Sequence, residues 1–352
     1  MQWEFLFLFP RWRLPAAFPR APIKKSSDDD DEYRLCFAGD LMVKSGDAPV
    51  IVDPALRQEF AAAEMLFTTL ESPVVPREKD EAVRYPKFLR MPPFEMPIAF
   101  LEEQAKQIGL PPERICLSVA ANHAGDLGPE AFAAGCSILE NSGFRVVGRQ
   151  NAGAAPVDLI VIGDVRIALA AWTRWMNAEP FLRAQPGVNR QFEIEASNWT
   201  SILADAPHDI AIAMPHWGLE MRATPDAPNR LLAHHLAEIG FDLVVGSHPH
   251  MLQPLEAMNG GLCAYSLGNF TYTLSNIAKY CQSWRSCLSG VLRVGVNRRT
   301  KKISSYELIP IVEYATPDAC YICRLHDYLG SHRDAYVAMI ENLFSSTLES
   351  AA

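Results

Sequence analysis

A series of short apolar runs, each closing on a carboxylate, an amide or an imidazole, constrains this chain more than any other feature of its sequence. YRLCFAGD ends at Asp40, AEMLFTTLES at Glu71, RICLSVAANH at Asn122 and His123, HDIAIAMPHWG delivers His216, and FDLVVGSHPH releases His248 and His250. Such runs, bounded by glycine, proline or polar clusters, read as strands. Between them, MPIAFLEEQAKQIGL, GPEAFAAGCSILENSG and NRLLAHHLAEIG carry apolar residues at helical spacing, with Gly143 and Gly240 closing the last two. VDLIVIG and VRIALAAW, split by Gly163 and Asp164, read as a hairpin. GGLCAYSLGNF reads as a strand ending near Asn269, GVLRVGVNRRTKKISSYELIPIVEY as a closing hairpin and RDAYVAMIENLFSSTLES as a last helix. Alternating strands and helices imply an α/β domain.

The chain has 352 residues, 49% hydrophobic and 21% charged, enough for one large domain or two small ones. A net charge of −9 with no basic stripe excludes the phosphate-neutralising footprint of a nucleic-acid binder. Among eight cysteines, Cys36, Cys116 and Cys263 sit inside apolar runs, where a thiol behaves as a small hydrophobe. This usage implies a reducing compartment, so the expected location is cytoplasmic, with export or membrane association as the alternative. Cys320 and Cys323 form a lone CxxC downstream of Cys281 and Cys287, and without a second matching pair they read as structural. The apolar patch Phe5 to Phe9 is too short to span a bilayer and shows no cleavage site, and no later segment is a transmembrane helix. RAPIKKSSDDDDE, residues 20 to 32, reads as a solvated linker. The expected division is a disordered leader and acidic linker over 1–32, one folded domain over 33–315 and a helical extension over 316–352.

Open α/β sheets bind ligands where loops leave the carboxyl ends of their strands. Asp40, Glu71, Asn122 with His123, His216, and His248 with His250 all stand just past such ends, so five elements point at one place. Carboxylates, imidazoles and a side-chain amide, with no thiolate, suit two divalent cations. In an extended loop the HxH histidines would point to the same side, stiffened by Pro249, so that each serves a different ion. Singly, each residue has an ordinary alternative. Asp40 suits a turn or a helix cap, Glu71 a solvated strand end, Asn122 a left-handed turn, and His216 packing on Trp217. Their joint occurrence is what these alternatives leave unexplained. His234 and His235 lie mid-helix and read as solvated and core-facing respectively, neither a ligand.

CFAGDLM, TLESPVV, AANHAGDLG, MPHWGLE, VVGSHPHMLQPLE and AYSLGNFTY, in this order, resemble the CapA family of capsule (poly-γ-glutamate) synthesis proteins, a branch of the calcineurin-like metallophosphoesterases. The resemblance runs over roughly residues 34 to 312. It implies a four-layer α/β/β/α sandwich of two mixed sheets. It implies that Asp40 and His250 hold one metal, that Asn122, His216 and His248 hold the other, and that Glu71 bridges them. Two ions are expected, Mn, Fe or Zn. His123, oriented by Asp126, would give a proton to the leaving group while a metal-bound hydroxide attacks phosphorus. Trp217, Glu220 and Asn269 match the family pattern at the rim and would shape the substrate pocket.

Met42 stands where metallophosphoesterases usually place an imidazole two residues after the first aspartate, and a thioether is a poor ligand for a hard dication. Glu71 replaces their usual aspartate, a change that CapA proteins share. Thr69 and Ala121 stand where asparagine is common. The expected function is a metal-dependent phosphoester hydrolase acting on a small-molecule or polymer-linked anionic substrate in capsule synthesis. The alternative is a non-catalytic assembly or export component that works with other capsule synthesis proteins.

Overall fold

A computed structural model describes residues 20–26, 31–43, 49–75, 95–150, 155–179, 184–191, 198–258, 260–272, 284–316 and 319–344. Two large mixed sheets carry the architecture. In the ten-stranded sheet the neighbours run Ile51–Val52, Cys320–Arg324, Ile303–Ala315, Leu288–Asn297, Glu32–Met42, Met65–Leu70, Ile115–Ser118 and Arg145–Val147. Lys24–Lys25 adds to Ile303–Ala315, and Asn269–Tyr272 adds to Glu32–Met42. The six-stranded sheet runs Leu255–Met258, Gly261–Ala264, Leu243–Val245, Ile210–His216, Val165–Thr173 and Asp158–Ile162. Glu32–Met42, Met65–Leu70 and Ile115–Ser118 are parallel, as are Ile210–His216 and Leu243–Val245, so in each sheet the strands that feed the site end on one edge.

Side-chain alternation shows how the sheets stack. Ile167, Leu169, Ile210, Ile212 and Met214 share a core with Leu35, Phe37 and Phe67 of the larger sheet. The intervening Ala168, Ala170, Trp172, Ala211 and Ala213 enter a second core with Trp199, Leu203, Leu232 and Leu236 of the helices Trp199–Asp205 and Ala227–Glu238. A period of two is what puts one strand into both cores, and the alanines on the outer face let the helices lie close. The helices Pro54–Ala61, Ile98–Ile108 and Pro129–Asn141 contribute Phe60, Leu101, Ala105, Phe132 and Leu139 to the first core. The result is the expected order of helix, sheet, sheet, helix.

GGLCAYSLGNF is not one strand. Gly261–Ala264 lies in the six-stranded sheet, and Asn269–Tyr272 has crossed to the other, where Asn269 pairs with Asp40. Two glycines permit the crossing. Gly268 has φ 76°, and a Cβ on Gly39 would run into the Gly268 carbonyl oxygen, which instead accepts the Asp40 N–H at 3.0 Å.

The polar segment before Tyr33 is also partly built in. Ala21 is buried, with its N–H donating to Leu255 O at 2.9 Å. Lys24 and Lys25 pair with Glu307 and Tyr306, and Glu32 opens the central strand. Backbone groups on a sheet edge take an available partner whatever its side chains. Residues 1–19 and 27–30, and Cys281, lie outside the described residues. Of residues 316–352, Cys320–Arg324 is a strand of the larger sheet, and the helix Arg333–Phe344 buries Tyr336 and Phe344. The helix Pro54–Ala61, whose start is capped by Asp53 accepting from the Ala55 N–H at 2.8 Å, buries Leu56 and Phe60.

Cys320 and Cys323 are free thiols, and burial pushes Cys323 up to about 12, as it does Cys36. His234 is not simply solvated. Its Nε2 meets Glu256 Oε1 at 2.9 Å, and the wholly buried Glu256 also accepts from Tyr265 Oη at 2.6 Å. His235 is half-buried, and burial lowers it to about 4. No helix among the described residues is long and apolar enough to cross a membrane.

Candidate metal centre

The two sheets meet at the edge where the polar strand ends emerge. Asp40 sits within Glu32–Met42, just past a register shift, and Glu71 directly follows Met65–Leu70, its N–H bound to Leu41 O at 3.0 Å. Asn122 and His123 lie in the tight turns after Ile115–Ser118, and His216 ends Ile210–His216. His248 and His250 follow Leu243–Val245. All seven side chains are buried.

The HPH segment is not extended. His248 has φ 94° and His250 φ 54°, so two non-glycine residues in the left-handed half of the map flank Pro249. Period-two alternation is therefore not what brings them to one side. The chain coils there, and each such residue costs about 1–2 kcal/mol. The His248 N–H donates to Asp40 Oδ2 at 2.9 Å, which ties the coil to the larger sheet.

Donor atoms gather into two groups. One holds Glu71, His216 and His248, the other Asp40, Glu71 and His250, and within each the donors lie within 4.8 Å of one another. His250 Nε2 and His216 Nε2 stand 3.5 and 3.7 Å from Glu71 Oε1. Asn122 Oδ1 lies 2.9 Å from His216 Nε2. Asp40 Oδ1, both Glu71 oxygens and His248 Nδ1 are buried without a hydrogen-bond partner. Leaving such atoms unsatisfied costs on the order of 1–3 kcal/mol each, more for charged ones. A dication in each group would satisfy them, and a set of oxygen and imidazole donors without sulfur fits a hard or borderline ion.

The charges reinforce this. Burial alone works against ionising Glu71, and the neighbouring His250 and His216 outweigh it, holding the carboxyl below its usual range. Burial likewise opposes the His250 imidazolium, yet Glu71 and Asp40 raise it well above the ordinary histidine value. At His248 burial and the neighbouring His216 act in the same direction and keep the ring neutral. Buried acids here hold a proton on an imidazole, and a cation would take that proton's place.

The profile of the bacterial capsule synthesis protein PGA_cap family matches residues 34–273, more than half of the chain. The chain belongs to that family. It is 25% identical over 302 residues to the PGA biosynthesis protein CapA of Bacillus subtilis, a match covering 84% of this chain and 75% of that one. It is 21% identical over 269 residues to the capsule biosynthesis protein CapA of Bacillus anthracis, covering 72% of this chain and 62%, less than two thirds, of that relative. A phosphatase structure from Mycoplasma pneumoniae is similar at 12% identity and a TM-score of 0.46, over 80% of this chain and 94% of that one.

In this PGA_cap chain His123 stands beside the two groups. Its Nδ1 meets Asp126 Oδ2 at 2.6 Å, and its Nε2 lies 3.4 Å from Asn177 Nδ2. Burial works to lower His123, but the Asp126 carboxylate raises it above the ordinary value. A cleft of about 530 Å³ opens over His248, lined also by Arg174, Trp175, Asn177, Leu219 and Glu220.

Of the three residues expected at the rim, only Glu220 lines this cleft. Trp217 is fully buried in the second core, its indole N–H donating to Tyr265 O at 3.0 Å. Asn269 lies behind the site, its Oδ1 2.8 Å from His250 Nδ1. Asn177 and Ser247 touch the site without having stood out in the sequence, and Thr69, notable there only for standing where asparagine is common, reaches it through Ser247. Ser247, between the conspicuous Gly246 and His248, was the one most open to notice.

Proposed function

We propose that this PGA_cap protein is a dication-dependent phosphoester hydrolase that serves the synthesis of a capsule polymer of the poly-γ-glutamate type. The observation that carries this reading is Glu71, which belongs to both donor groups and whose two buried oxygens have no hydrogen-bond partner. Asp40 and His250 would hold one ion, Asn122, His216 and His248 the other, with Glu71 between them. Bound there, the ions would supply positive charge for the phosphoryl oxygens and acidify a water.

The remaining work falls to the chain. Asp126 holds His123 by Nδ1, which leaves Nε2 to give its proton to the departing oxygen, and the Asp126 carboxylate favours the protonated ring. Arg174, at the wall of the cleft, offers a guanidinium to an anionic substrate. The capsule setting implies that other synthesis proteins supply or receive the substrate.

Met42 supports a second reading. It is buried two residues past Asp40 and gives the group of Asp40, Glu71 and His250 no further donor. That reading is a non-catalytic assembly component that keeps the centre. Metal analysis of the purified chain with a screen of phosphate mono- and diesters separates the two. Bound dication with turnover supports the hydrolase, bound dication without turnover the assembly component, and no uptake from metal-replete medium refutes the centre.

A further inference from the structure

Behind His216, on its Nδ1 side, two hydroxyls stand in line. His216 Nδ1 lies 2.9 Å from Ser247 Oγ, and Thr69 Oγ1 donates to Ser247 Oγ at 3.1 Å. Both hydroxyl residues are buried, and they come from different sheets. Thr69 belongs to Met65–Leu70, paired with Asp40 on one side and Ser118 on the other. Ser247 is clamped beside the end of Ile210–His216, its N–H donating to Pro215 O and its carbonyl accepting from the Trp217 N–H, each at 3.0 Å. Its hydroxyl is thus fixed relative to the ring by backbone bonds on both sides.

We infer that Ser247, backed by Thr69, is a positioning residue that sets the proton of His216 on Nδ1 and so turns the Nε2 lone pair toward a dication. The inference rests on the proposed centre and adds the residues that orient it. Nε2 is the nitrogen that faces Asn122 and Glu71, 2.9 Å from Asn122 Oδ1 and 3.7 Å from Glu71 Oε1. A neutral imidazole has one proton, so a ligating Nε2 requires Nδ1–H, and that proton needs an acceptor. Ser247 Oγ is at hydrogen-bonding distance, whereas Asp40 Oδ1, 3.6 Å from Nδ1, is too far to bond. When Ser247 accepts from Nδ1–H, its own proton turns to Thr69 Oγ1, and the bond between the two hydroxyls runs in the opposite sense. Hydroxyls donate and accept with equal ease, so this reversal needs only two rotations.

The test is Mn²⁺ and Zn²⁺ titration calorimetry together with nitrogen-15 spectra of the histidine rings, on the whole chain and on Ser247→Ala, Ser247→Thr and Thr69→Val. The zinc-loaded wild type is expected to show His216 protonated at Nδ1. Ser247→Ala is expected to lower dication affinity by about 10- to 100-fold, the usual effect of removing an orienting partner, and to blur that tautomer. Ser247→Thr, which keeps the hydroxyl, is expected to restore both, and Thr69→Val to show a smaller loss. Should Ser247→Thr fail to fold, Thr69→Val still tests the line, because Ser247 remains in place. Unchanged affinity in Ser247→Ala, or a His216 ring protonated at Nε2 in the loaded chain, overturns the relay and leaves the proposed function standing. A wild-type chain that takes up no dication overturns both.

Discussion

Glu71 and His250 face each other inside the fold, Oε1 to Nε2 at 3.5 Å, the one held below the usual carboxylate range and the other raised above that of histidine. Each shift has the other residue as a cause. The pair is therefore an internal counter-ion arrangement in the metal-free chain, and in the proposed centre its two members would be ligands.

That exchange sets the pH behaviour. His250 is raised, so its contribution to stability is full below the ordinary value of 6.5 and is lost as pH rises through its folded-state pKa. Glu71 is lowered, so its contribution is full above the ordinary 4.5 and is lost as pH falls through its folded-state pKa. The metal-free chain is expected to draw most from the pair between those two ordinary values and to weaken on the alkaline side. Dication affinity should run the other way, rising with pH by up to about tenfold per unit for the proton displaced from His250. Urea unfolding of the metal-free chain and Mn²⁺ titration across the same pH series check both. Affinity independent of pH would sink this account.

His123→Ala should abolish turnover while sparing the metal. Loss of a general acid lowers kcat by about 10²- to 10⁴-fold, and His123 belongs to neither donor group. Asp126→Asn should lower kcat less, and both variants should retain wild-type metal content by elemental analysis.

Glu71→Gln should do the reverse. Because Glu71 is common to both groups, neutralising it is expected to reduce metal content at both positions. The metal-free variant should also lose the part of the His250 elevation that Glu71 supplies, leaving that of Asp40, read by proton NMR titration of that ring.

His248→Gly should separate binding from stability. The residue holds φ 94°, where glycine is at ease and other residues are strained. The metal-free variant is expected to unfold about 1 kcal/mol later than the parent, with weaker dication uptake. A loss of stability in urea would show that the coil at Pro249 is not strained.

Much of the site could be read from the chain because strand ends are legible. An apolar run that stops at Asp40, Glu71 or His216 announces both the strand and the polar group it delivers. What could not be read depends on packing and backbone geometry. Trp217 and Asn269 neighbour conspicuous residues, yet one strand turn decides that the first enters a core and the second backs His250. The left-handed angles at His248 and His250 have no signature in residue types that usually avoid them. Lys24–Lys25 and Cys320–Arg324 join the larger sheet through backbone pairing, to which composition is blind. Ser247 and Thr69 are ordinary small polar residues until the sheets close and set them in line.

Each donor group takes members from both sheets, Glu71 from one with His216 and His248 from the other, and Asp40 and Glu71 from one with His250 from the other. An ion in either place is a rivet through two plates. Demetallation would free the plates to slide by fractions of an ångström without unfolding either, and amide exchange at Leu41 and Val245 is where that loosening would first be felt.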